Sequence, residues 1–126
     1  MNIYESAEDY LERILILQQT GNAVKSIDIA HSMNYSKPSV SRAMKNLREN
    51  GYIEIASSGA ISLTEKGLVI AKKMYERHTL LANYFIKLGV NKETAFIDAC
   101  KLEHDMSDET FNAIKHHAES DFMKNK

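Results

Sequence analysis

What most narrows the fold of this chain is an order of segments: three helical patterns in succession and then, without a linker, a short β-hairpin. From Ala7 to Leu17 the apolar residues Tyr10, Leu11, Ile14, Leu15 and Leu17 recur at the period of an amphipathic helix, with Ser6 as its cap and an end before Gly21. Ser26 caps a shorter helix that turns Ile27, Ile29, Ala30 and Met33 inward. Asn34-Tyr35-Ser36 reads as a turn, and the chain's only proline, Pro38, follows at once. A serine cap with proline in the first turn is a helix start: the serine oxygen takes a backbone N–H, and proline supplies the helical φ where its missing N–H is not needed. The helix it opens buries Val40, Ala43, Met44 and Leu47 and stops at Asn50-Gly51. Tyr52-Ile53-Glu54-Ile55 and Ala60-Ile61-Ser62-Leu63 then alternate about Ala56-Ser57-Ser58-Gly59, the pattern of a hairpin with a small-residue turn.

Helix, short helix, tight turn, longer helix and hairpin, in that order, describe a winged helix-turn-helix. The third helix has the chemistry for DNA on its solvent face. Its first turns enter a major groove, so Ser36, Lys37, Pro38, Ser39, Ser41, Arg42 and Lys45 are the expected DNA-binding residues. The hairpin tip carries no basic side chain, and the wing contact is expected to be weak. After it, Thr64 caps a long helix running to Gly89 through Leu68, Ile70, Ala71, Met74, Leu81, Tyr84, Phe85 and Leu88. Two more helices follow, over roughly Lys92–His104 and Ser107–Phe122, the second capped by Ser107. The expected class is mainly α: a winged helix-turn-helix DNA-binding domain over residues 1–66, then a helical dimerisation and metal-binding domain over 67–126.

Net charge enters only through its distribution. The chain totals -1, yet Lys25, Lys37, Arg42, Lys45 and Arg48 gather around the third helix, while Glu93, Asp98, Glu103, Asp105, Asp108, Glu109 and Glu119 lie behind it. That split fits an acidic half masking a basic one, and equally two solvated helix faces of opposite sign, so by itself it decides nothing. No apolar run reaches the ~20 residues of a membrane span, and no secretory leader pattern opens the chain. With one cysteine, Cys100, a disulfide framework is excluded, and the expected location is cytoplasmic, without a membrane.

Cys100, Glu103 and His104 stand at i, i+3 and i+4, one face of a helix. A thiol, a carboxylate and an imidazole there are three ligands of a mixed transition-metal site. Asp9 and Glu12 form an i, i+3 pair on the first helix, and His78 follows Arg77 on the long one. Spacing leaves ordinary readings open: Cys100 as a small core residue, Asp9 and Glu12 as complements of the helix dipole, His78 as a half-buried imidazole. His31, His116 and His117 read as solvated.

Glu8-Asp9-Tyr10-Leu11-Glu12, Ser36 to Arg42, Leu63-Thr64-Glu65-Lys66-Gly67, Arg77-His78 and Leu102-Glu103-His104-Asp105-Met106-Ser107 together make the chain resemble the diphtheria-toxin-repressor family of metalloregulators, over nearly its whole length. Carried over position by position, the resemblance implies that Asp9, Glu12, His78, Cys100, Glu103 and His104 are metal ligands. It places Asp9 where manganese-responsive members have aspartate and Cys100 where iron-responsive members have cysteine, so the sequence is a hybrid of the two. Ala82 and Phe96 stand where the iron branch has further, ancillary ligands, and neither can coordinate. The resemblance also implies the two-domain form, without the small β-barrel third domain of many iron-dependent members.

The expected function is that of a metal-dependent repressor, not an enzyme, binding palindromic double-stranded DNA as a homodimer and controlling metal-uptake and homeostasis genes. The thiolate tips the expected metal toward Fe2+ over Mn2+ by a small margin, with Zn2+, Co2+ or Ni2+ able to substitute in vitro. The apolar surplus on Leu80, Leu81, Tyr84, Phe85, Ile86 and Leu88 is the expected dimer interface. The alternative is a winged-helix regulator answering an oxidant or small organic ligand through Cys100. A metal-dependent hydrolase is disfavoured, since there is no His-Glu-x-x-His run and no nucleophile elbow.

Overall fold

A computed structural model of the chain describes residues 3–124, with side chains described for residues 6–120. Its elements in chain order are α1 (Ile3–Gln18), α2 (Ser26–Met33), α3 (Lys37–Glu49), β1 (Ile53–Ile55), β2 (Ile61–Leu63), α4 (Glu65–Lys87), α5 (Lys92–Leu102) and α6 (Asp108–Lys124). This is a winged helix-turn-helix followed by a helical domain. The residues divide into two compact units, one reaching to Met74 and the other starting at Tyr75, so the division falls inside α4.

The first unit is built on the apolar stripes read from the sequence. Leu11 and Ile14 of α1, Ile29 of α2 and Val40 of α3 have no exposed surface, and Met44, Leu47, Ile53, Ile61 and Ala71 complete their cluster. Burying each large aliphatic side chain contributes about 1.5–3 kcal/mol, which outweighs the modest helix propensity of an eight-residue α2. β1 and β2 pair antiparallel in the register Ile53↔Leu63, Glu54↔Ser62, Ile55↔Ile61. Gly59, at φ +92°, turns the hairpin. Val24 adds a single bridge to Ile61, donated by the Ile61 N–H at 2.7 Å, an extension that periodicity does not reveal.

Helix starts differ from expectation at two places. Ser6 lies inside α1, which begins at Ile3. At α2 the cap position is Lys25, not Ser26: the Asp28 carboxylate accepts the Lys25 N–H at 2.9 Å, so the box closes from its acidic end and Ser26 becomes the first helical residue. Ser36 does cap α3, accepting the Ser39 N–H at 3.4 Å. Asn34, at φ 59°, makes the left-handed turn between α2 and α3.

The join between wing and α4 is tightly specified. Thr64 donates its hydroxyl to the Gly51 carbonyl at 2.7 Å and accepts the Gly67 N–H at 3.2 Å, while its own N–H bonds the Tyr52 carbonyl at 3.1 Å. Lys66 donates to the Asn50 carbonyl at 3.2 Å and lies 4.3 Å from the centre of the Tyr52 ring. Gly67 packs against the Tyr52 main chain. The Leu63–Gly67 motif is therefore the clasp between the end of α3, the wing and the start of α4.

In the second unit Leu81 and Ala82 of α4 pack with Ala99 of α5, and Phe85, Met106 and Ile114 close around them. Asn91 caps α5 through the Glu93 N–H at 2.9 Å, and Ser107 caps α6 through the Thr110 N–H at 3.1 Å. α4 ends at Lys87, short of the expected Gly89, and Leu88, 68% exposed, enters the turn closed by Gly89. Among the described residues, no helix is long and apolar enough to cross a membrane.

Candidate metal centre and nucleic-acid surface

α4 and α5 bring three donors together. Cys100 Sγ lies 3.2 Å from His78 Nδ1, and Glu103 Oε2 lies 3.3 Å from the same nitrogen. One donor atom from each of His78, Cys100 and Glu103 falls within 4.8 Å of the others. The other Glu103 oxygen, Oε1, stands 3.3 Å from His104 Nε2, so a single carboxylate sits between two imidazoles.

Their burial is graded. Cys100 is exposed, His78 half-buried, His104 nearly covered by side-chain area, and the Glu103 carboxylate wholly buried. A buried carboxyl group beside a thiol and two imidazoles is a donor set for a cation, and nitrogen, sulfur and oxygen donors in one cluster fit a borderline divalent transition ion. The i, i+3 reading of Cys100 and Glu103 holds although α5 ends at Leu102, because Glu103 keeps helical φ and ψ and its N–H bonds the Ala99 carbonyl at 3.0 Å. Phe96, one turn before Cys100, lays its ring 5.3 Å from that of His78. Ala82 is fully buried in the apolar cluster.

Asp9 and Glu12 are carried by α1 in the first unit, Asp9 half-buried and Glu12 buried. Beside Asp9, the Tyr10 hydroxyl is held above its ordinary pKa, first by burial and then by Tyr35 and Asp9. Tyr10 also meets the Tyr35 ring edge-on at 6.1 Å, which ties α1 to the turn before α3.

On α3 the expected DNA-facing side chains are on the surface: Ser36, Lys37, Pro38, Ser41, Arg42 and Lys45 are exposed, and Ser39 is half-buried. They are partly ordered already. Ser36 donates its hydroxyl to Ser39 Oγ at 2.7 Å, and Arg42 donates to the same oxygen at 3.5 Å. The row Ser36–Ser39–Arg42 therefore places a guanidinium beside the helix start. The wing tip Ser57 and Ser58 is exposed and uncharged.

One structural residue went unread in the sequence. Arg77, buried on α4, donates from one guanidinium nitrogen to the carbonyls of Glu103 and Met106, both at 2.7 Å, and from the other to Asp108 Oδ1 at 2.5 Å. Its sequence signal was the Arg77-His78 pair, which entered the family resemblance without a role for the arginine. On the remaining surface of this unit, Tyr75, Leu80, Tyr84 and Ala118 line an open apolar groove of about 460 Å³, bordered by the Lys115–Glu76 ion pair at 2.6 Å.

Two family descriptions match the chain: "Iron dependent repressor, N-terminal DNA binding domain" over residues 2–61, and "Iron dependent repressor, metal binding and dimerisation domain" over residues 64–120. An HTH-type transcriptional regulator of Methanocaldococcus jannaschii is 36% identical, over 88% of this chain and 90% of its own. The transcriptional regulator MntR of Escherichia coli is 33% identical, over 88% of this chain and 72% of its own. Among solved structures, a manganese-dependent transcriptional repressor in complex with manganese superposes with a TM-score of 0.82 at 29% identity, over 89% of this chain. This chain spans about half of that one, 52%.

Proposed function

The chain belongs to the iron-dependent repressor family of metal-dependent DNA-binding transcriptional regulators, and from that premise we propose that it represses metal-ion uptake and homeostasis genes when Fe2+ or Mn2+ is plentiful. The observation that carries this reading is the convergence of His78, Cys100 and Glu103 in a chain whose α3 presents an exposed basic face.

His78, Cys100, Glu103 and His104 are the donors that α4 and α5 offer to the ion. Asp9 and Glu12 join this proposal from the sequence resemblance alone. Fe2+ is favoured over Mn2+, because a thiolate at Cys100 is a softer ligand than the carboxylates and Mn2+ has the weaker preference for sulfur. The ion supplies a charge to which donors from different helices can bind at once. If the DNA-competent arrangement binds metal better, linkage requires that DNA tighten metal binding by the same factor.

A homodimer would present two α3 helices to a palindromic operator. Of the residues read as the interface, Leu81 is buried in the apolar cluster, whereas Ile86 and Leu88 are exposed and, with exposed Phe96, Ile97 and Leu102, are available for that association. On each half-site Arg42 is assigned to a base edge and Lys45 to a phosphate. Arg42→Ala should cost about 1–3 kcal/mol and relax the preference at one base pair. Lys45→Ala should weaken all duplexes alike and reduce the salt slope by about one. Fluorescence anisotropy with duplexes varied one base pair at a time, at several salt concentrations, separates the two.

The proposal as a whole is tested by anaerobic titration of a duplex selected from a random pool. Fe2+ or Mn2+ should tighten binding by roughly 5–150-fold, the range of ordinary allosteric coupling. Equal affinity with and without either metal would sink the metal-switch reading.

A further inference from the structure

We propose that Arg77 is a positioning residue for the metal donors: it sets the main chain at Glu103 and beyond His104 so that the Glu103 carboxylate and the His104 imidazole are in place before an ion arrives. The inference rests on the metal reading of these donors.

The geometry is specific to this guanidinium. Glu103 and His104 lie where α5 ends: the Glu103 N–H still bonds the Ala99 carbonyl at 3.0 Å, but the carbonyls at a helix end have no partner within the helix and need donors from elsewhere. One nitrogen of Arg77 takes the carbonyl of Glu103 itself and that of Met106, and so spans the turn that contains His104. The second nitrogen takes Asp108 at the start of α6. The Phe111 ring lies 5.2 Å from the guanidinium carbon. The three bonds thus fasten both ends of the Glu103–Ser107 connection to α4, the helix that also carries His78. A cation at the carbonyl end of α5 is favourably placed against the helix dipole as well.

A lysine cannot reproduce the arrangement. Its ammonium is a point charge on a flexible stem, whereas the planar fork holds several acceptors in fixed directions. Arg77 also stands next to His78 in sequence, so the element that supplies one donor orients the segment supplying two more. Residues that orient metal ligands commonly change affinity by roughly 10–100-fold when lost.

The test is anaerobic Co2+ titration of the full chain, read by the thiolate-to-cobalt charge-transfer band and the visible bands of the ion, well below the unfolding temperature of each variant. Wild type is expected to show a thiolate band, which reports Cys100. Its absence would overturn the metal reading at this cluster, and this proposal with it. With that band present, Arg77→Met should bind Co2+ roughly 10–100-fold more weakly, with altered visible bands from displaced Glu103 and His104. Arg77→Lys should fall between the two, as partial rescue.

A purely structural role would lower the unfolding temperature while leaving affinity and spectrum of the folded protein unchanged, and that result overturns the proposal. If Arg77→Met does not fold, Arg77→Lys and Asp108→Ala decide. Asp108 has a side chain 66% exposed, so its loss removes one anchor of the guanidinium without opening a core. Weaker binding with changed bands in both variants supports positioning, and wild-type affinity in both overturns it.

Discussion

Glu103→Gln is expected to reduce the metal response of operator binding from roughly 5–150-fold to about none, while metal-free binding stays within about twofold of wild type. The substitution keeps the shape of a side chain that is fully buried and removes the charge that stands 3.3 Å from His78 and from His104. Its effect should exceed that of a change at Cys100, because the two Glu103 oxygens approach both imidazoles. Cys100→Ser offers the contrast. It replaces the soft ligand by a hard one and should shift preference from Fe2+ toward Mn2+ rather than abolish the response. Paired operator titrations of the two variants with each metal measure this, and a Glu103→Gln protein that responds as wild type would remove Glu103 from the site.

Gly67→Ala is expected to cost about 1–3 kcal/mol or more in folding stability, through overpacking against a rigid neighbour. A Cβ on Gly67 would meet the Tyr52 carbonyl oxygen, a main-chain atom, at 2.1 Å. That oxygen already accepts the Thr64 N–H at 3.1 Å, so relieving the overlap pulls the clasp between wing and α4 apart. At roughly 4 °C per kcal/mol for a domain of this size, the midpoint should fall by about 4–12 °C. Val69→Ala is the control. Val69 is 64% exposed on the same turn of α4, and its truncation should stay within about 0.5 kcal/mol. Thermal unfolding of the metal-free proteins compares them. Equal midpoints for Gly67→Ala and wild type would show that the clasp yields without loss.

The helix-turn-helix and its wing were legible because each of their signals is local. The Ser36–Pro38 start, the stripe through Val40, Met44 and Leu47, and the alternation on either side of Gly59 each involve residues a few positions apart, and each is present in the structure. The caps fared unevenly. Thr64, Ser36 and Ser107 cap as read, but at α2 a carboxylate three residues inside the helix replaced the expected serine, since either group can satisfy the same end. The exposed face of α3 followed directly from which residues its core stripe left over.

Within the candidate metal cluster the division is similar. Cys100 and Glu103 share a helix face by spacing, which the sequence by itself determined, and the resemblance to metalloregulators supplied His78. Only the tertiary structure decided that His78 Nδ1 reaches both of them, that Glu103 is the buried centre between two imidazoles, and that Arg77 fastens the turn carrying His104. The physical reason is range. Periodicity, capping and turn chemistry act over one or two helical turns and are written in consecutive residues. A guanidinium's choice of two carbonyls and a carboxylate 26, 29 and 31 positions away depends on how whole helices pack, and no residue of the intervening chain encodes it alone.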